Sequence, residues 1–145
     1  MINDNLALTG ALTIALNDEV VQETRNLVVT AGKEWVADRM NNANTVMTHM
    51  AVGTSSTDSG TSAAAYARTT LGTEEDRNTL TSTTVTDNTI AYVCTWAAGD
   101  ASAAITEAGI FDAATGGDML ARTVFAVVNK GTDDSMTITW TITVS

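Results

Sequence analysis

The sequence predicts an all-β protein: an antiparallel β-sandwich of jelly-roll-like type with one short α-helix near residues 30–41. Three observations carry that prediction. Threonine makes up roughly a fifth of the 145 residues, and a β-branched side chain with a stiff χ1 and a water-tolerant hydroxyl suits half-exposed strands. Period-two alternation recurs along the chain and is cleanest near residue 140. Turn residues separate the alternating runs at short spacing, as in sandwiches and barrels. With 44% hydrophobic residues, a single domain over 1–145 has enough apolar material for one core without disulfides or metals.

The opening run, MINDNLALTGALTIALN, places Leu12, Ile14 and Leu16 on one face and Ala11, Thr13 and Ala15 on the other. Asn17 and Asp18 signal a turn, after which EVVQETRNLVV returns as a second strand. Thr30 then offers a helix N-cap hydroxyl, and AGKEWVADRMN sets Ala31, Trp35, Val36 and Met40 near helical spacing. The asparagine-rich NNAN at 41–44 ends it. A helix of about three turns is not stable alone and must lay its Trp35 stripe on the sheet.

VMTHMAVG, residues 46–53, is the next strand, and a long loop over 54–77 follows, rich in small residues and closing on Glu74, Glu75 and Asp76. From Asn78 strands come in quick succession. LTSTTVT turns at Asp87 and Asn88 into TIAYVCTWAAG; ITEAGIFD turns at ATGGD, whose glycines supply positive φ, into MLARTVFAVV, apolar on both sides apart from Arg122. SMTITWTITVS then sets Met136, Ile138, Trp140, Ile142 and Val144 against Thr137, Thr139, Thr141 and Thr143. Seven or eight strands result. Proline is absent, so Gly, Asn, Asp and Ser make the turns.

The net charge of −10, from 17 acidic and 7 basic residues, argues against nucleic acid or an anionic membrane as partner and for a basic patch on a protein partner. The sequence opens without the basic and apolar blocks of a signal peptide, and no apolar run nears the roughly 18–20 residues of a membrane span. A single cysteine, Cys94, excludes an intramolecular disulfide. The expectation is a soluble chain made in a cytoplasm.

The chemistry-bearing residues are few. His49 is the sole histidine, which leaves no second imidazole for zinc and at most one triad to imagine. Cys94 lies between Tyr92 and Trp96 in an apolar strand, where a thiol acts as a small hydrophobe. The acidic clusters at 74–76 and at Asp133 and Asp134 lack the spacing of a calcium loop and suit turns or solvated faces. Trp35, Trp96 and Trp140 fall on inferred buried faces, and TGGD at 115–118 lacks the lysine and helix of a phosphate cradle. No catalytic residue, cofactor or metal is expected. An enzyme reading would rest on His49, Glu107 and Asp112 alone.

The order NLVVTAGKEWVADRM, MAVGTSST, LGTEEDR, ITEAGIFDAATGGDMLARTVF and NKGTDDSMTITWTITV resembles a group of small virion structural proteins of tailed bacteriophages: capsid decoration (cement) proteins, related to tail-fibre and collar-type β-sandwich proteins. The resemblance covers nearly the whole chain. It implies a non-enzymatic role on the virion's capsid surface, after assembly in the host cytoplasm, with the major capsid protein and further copies of the chain, as a homotrimer, for partners. In such proteins the segment of Glu107, Gly109, Phe111 and Asp112 builds the sandwich core and its edge. The alternative is a tail-fibre, collar or baseplate component that bridges to fibres or binds a host surface. A single compact domain without heptads or repeats suits decoration better.

Two segments are the expected contacts. The arm over residues 1–8, through Ile2, Asn3, Asp4, Asn5 and Leu6, has the composition of a strand added to another subunit's edge; a frayed terminus is the plainer reading. Within the 54–77 loop, Arg68, Glu74, Glu75 and Arg77 are the charges placed to pair across an interface, against the alternative that they are only solvated.

Overall fold

A computed structural model of the chain describes residues 5–42 and 45–145. The described residues form ten strands and two helices in the order β1 (Leu8–Leu16), β2 (Glu19–Arg25), β3 (Leu27–Val28), α1 (Thr30–Arg39), β4 (His49–Gly53), α2 (Ala63–Tyr66), β5 (Glu74–Thr79), β6 (Ser82–Thr86), β7 (Thr89–Trp96), β8 (Ala104–Phe111), β9 (Met119–Asn129) and β10 (Met136–Val144). They make two antiparallel five-stranded sheets, ordered β2-β1-β10-β7-β6 and β3-β9-β8-β4-β5.

The strand count exceeds the expected seven or eight because one run that read as a single strand changes sheet and because a strand forms where the end of the 54–77 loop was expected. EVVQETRNLVV divides at Asn26, leaving β2 in the first sheet and β3 in the second. β5 takes up Glu74–Thr79, whose first four residues were expected in the loop, and the chain then crosses to the first sheet at Leu80 and Thr81 to enter β6. At the first crossing the Asn26 side chain lies so close over Gly10 that any β-carbon there would collide with its amide. A larger residue at position 10 would force the Asn26 side chain to turn aside.

The alternation in β10 is realised residue by residue: Met136, Ile138, Trp140 and Ile142 are buried and the threonines between them are not. Leu12 and Ile14 of β1 stand beside Trp140 and Ile138, with Tyr92 and Cys94 of β7 on the other side. These residues share one core with Met50, Val52, Ile105, Ala108, Ile110 and Phe125 of the second sheet. A smaller cluster, Val29, Ala51, Leu71, Phe111 and Met119, forms separately. The β1–β2 turn carries Asn17 and Asp18 at positive φ, and Asp87 does the same between β6 and β7, both at the expected asparagine–aspartate pairs. The Asn17 side chain donates to Asp134 at 2.8 Å, tying this turn to the one before β10. That bond, then the Gly131 N–H, holds the Asp134 carboxyl below its ordinary range.

The helix α1 begins one residue earlier than its cap signal implied. Its N-cap is Val29, without a side-chain bond, and Thr30 is already helical. Trp35 and Val36 pack on the main core as expected, but Met40 at the helix end is 83% exposed. No helix among the described residues is long and apolar enough to cross a membrane.

Candidate functional site

Two surfaces follow from this frame. On the second sheet, Glu107 of β8 and Arg122 of β9 are 0% and 3% exposed, and the guanidinium donates to Oε2 from Nε at 3.1 Å and from Nη2 at 2.8 Å. Such a pair needs its remaining bonding capacity satisfied, because neither charge has water. The 54–73 segment does this. Backbone N–H groups of Ser55 and Thr73 donate to Oε1, at 3.2 and 2.8 Å, and that of Gly72 to Oε2 at 2.9 Å. Arg122 in turn donates to the carbonyls of Thr57 and Asp58. The segment expected to reach out is therefore held at both ends by one buried ion pair, with α2 formed inside it and capped by Ser62.

Three of the four expected interface charges, Arg68, Glu74 and Arg77, have partners within the chain. Arg68 donates to Asp58 at 2.8 Å and to Thr57. Arg77 lies in β5; its guanidinium stacks 3.7 Å from the centre of the Phe111 ring, donates to the carbonyls of Ala113 and Gly116, and pairs with Glu74 at 2.7 Å. It clamps the β8–β9 turn. Glu75 is exposed. Of the arm, Asn5 and Leu6 are exposed, Leu6 at 71%, just before Ala7 and Ser145 exchange backbone bonds; Ile2, Asn3 and Asp4 lie outside the described residues. The structure thus gathers Arg68, Glu74 and Arg77 around one pinned segment and keeps Asn5 and Leu6 apart from it.

The other surface is the outward side of the first sheet. Register sets Thr9, Thr143, Thr89 and Thr86 in one row, and Ala11, Thr141, Ala91 and Thr84 in the next. A third row holds Thr13, Thr139, Val93 and Ser82, and Ala15, Thr137 and Thr95 follow. None of these residues is buried and none is charged. Charge enters this face at the edge strand β2, where Arg25 stands opposite Ala11 and Glu23 opposite Thr13. A shallow hollow over Gly10 and Ala11 is lined by Arg25, Thr141 and Thr143. The sequence showed the alternating threonines of one strand; that three neighbouring strands present the same side in register becomes visible only with the sheet order.

The reactive side chains are dispersed. His49 bonds Thr48 at 2.7 Å through Nδ1. Among the described residues no three of His, Cys, Asp and Glu stand close enough together to hold a metal ion. Cys94 is fully buried, and burial pushes its thiol up to about 12. Burial does the same to Tyr92, also to about 12, opposed by the nearby Arg39 charge. Both groups ionise more easily in the unfolded chain, so their contribution is intact below pH 8.5 and falls as pH rises through the two raised values. Urea midpoints are expected to hold steady to about pH 8.5 and to drop between pH 9 and 12, less steeply for Cys94→Ala at its own lower baseline. A midpoint flat to pH 12 would contradict the assignment.

No known family's sequence pattern, no curated protein and no solved structure matches the chain.

Proposed function

We propose that the chain is a non-enzymatic structural protein of a tailed-phage virion, a capsid decoration (cement) protein that binds between capsomers as a homotrimer and stabilises the head. One observation carries this reading: a chain of net charge −10 keeps four adjacent strands of its first sheet free of charge on their outward side. Protein interfaces are depleted of charge at their centre, and a face of methyls and hydroxyls loses little on being dried. The two sheets around one core, read as a jelly-roll-like sandwich, supply a block that such a face needs behind it. The pinned 54–73 segment adds rigidity rather than reach.

The mechanism is linkage. A protein that binds only the assembled lattice raises the free energy needed to part its subunits by the free energy of its own binding, with no bond made or broken. Repetition around a trimer multiplies a modest contact into a durable one. The tail, collar or baseplate reading calls for few copies instead. Quantitative mass spectrometry of purified virions is expected to find this chain near parity with the major capsid protein. A few copies per particle would remove the decoration reading in favour of the tail, and absence from the particle would remove both.

A further inference from the structure

Each sheet has two edge strands, and three of these four edges carry a device that stops another strand from adding. β2 is bulged against β1, carries Glu19, Glu23 and Arg25, and its Gln22 side chain bonds both backbone groups of Ala126 in β9. β3 has only two residues. β5 is bulged and begins with Glu74, Glu75, Asp76 and Arg77. β6 has none of these protections. Its sequence STTVT holds no charge and no proline, it pairs with β7 in unbroken register, and all five residues are exposed. A neutral, regular, open edge is a template for strand addition, and natural sheets otherwise avoid leaving one.

The ladder fixes which groups the edge offers. Thr86 and Thr89 flank the two-residue turn and form its closing hydrogen-bonded pair, so Thr84 and Ser82 also bond to β7. The backbone N–H and C=O of Thr83 and Val85 are left for the open side.

We propose that β6 pairs antiparallel with β6 of a second copy, about a two-fold axis at Thr84. Thr83 then faces the second copy's Val85 and exchanges both backbone bonds with it, twice over by symmetry. Val85, 70% exposed in the single chain, gains a cross-strand neighbour. Ser82 faces Thr86, and Asp87 faces Thr81, so two chains of like net charge bring no like charges directly opposite. The near-palindrome of STTVT around Thr84 is what favours a second copy over a foreign strand. This contact does not rest on the virion reading and holds for the purified chain. Where copies are already gathered in threes, it joins one three to the next.

Cysteine cross-linking of the purified full chain tests the register, with buried Cys94 silent and circular dichroism verifying the fold of each variant. Opposed positions of this kind stand about 4.5 Å apart at Cα, within reach of a disulfide. Thr84→Cys is expected to yield a linked dimer on mild oxidation. Ser82→Cys and Thr86→Cys, each offset from its own copy by roughly 13 Å along the strand, are expected to stay unlinked alone and to cross-link when mixed. Equal linking by all three single variants overturns the proposal. So does an absence of linking in both Thr84→Cys and the mixture, the result of an edge that serves only a foreign strand.

Discussion

Replacing Arg122 with methionine is expected to cost about 3–5 kcal/mol, the penalty for leaving a buried carboxylate without its counter-charge. For a chain of this size that lowers the melting temperature by on the order of 10 °C. Glu107→Gln, although it keeps the shape, is expected to cost at least as much, about 3–5 kcal/mol, because it leaves the buried Arg122 guanidinium without its counter-charge. A second cause adds to this one. Oε1 receives only donors, the Ser55 and Thr73 N–H groups, and Oε2 receives only donors, the Gly72 N–H and the guanidinium. Whichever way the new amide turns, its NH₂ faces another donor. Replacing both residues with apolar ones is not expected to recover stability, because three backbone N–H groups of the 54–73 segment lose their acceptor together. Limited proteolysis should report this locally, with cleavage between Ser55 and Thr73 in every variant and none in the parent chain. A double replacement as stable and as resistant as the parent would show that the ion pair does not hold the segment.

The reach of sequence reasoning follows from the range of each interaction. β10, β7 and β1 were legible because a half-buried strand writes its environment at every second residue. The positive-φ turns were legible because Asn17, Asp18 and Asp87 are among the few side chains at ease there. Leu27 and Val28 gave no sign of leaving the first sheet, since a crossing is set by what lies on either side of Asn26 and not by the pattern along it. The partnership of Glu107 with Arg122 was hidden for a similar reason: fifteen residues separate them, and only hairpin register with its bulges brings them together. A signal did exist. Each is the lone charge in an otherwise apolar strand, on two strands joined by one turn, and buried charges come in pairs. Arg68 and Arg77 misled in the opposite sense, as arginines in a polar stretch that read as surface charges until Asp58 and the Phe111 ring were placed beside them.

Gly32→Ala is expected to destabilise the chain by about 1–3 kcal/mol, although the same change at an exposed helical position gains about 1 kcal/mol. The sign turns on what lies below. Gly32 is the buried residue of α1, and a β-carbon on it would run into the backbone carbonyl of Leu120 in β9. A backbone atom inside a sheet cannot turn aside as a side-chain tip can, so the helix must lift. With ten residues, α1 is too short to persist without its packing, and lifting it loosens Trp35 and Val36 from the core they partly cover. Trp96 and Trp140 are fully buried in the main core, which makes Trp35 the tryptophan that reports the movement. The expected result is a lower melting temperature together with a red shift in tryptophan emission. A raised melting temperature with unchanged emission would mean that α1 has room above β9 and that helix propensity, not close approach, governs position 32.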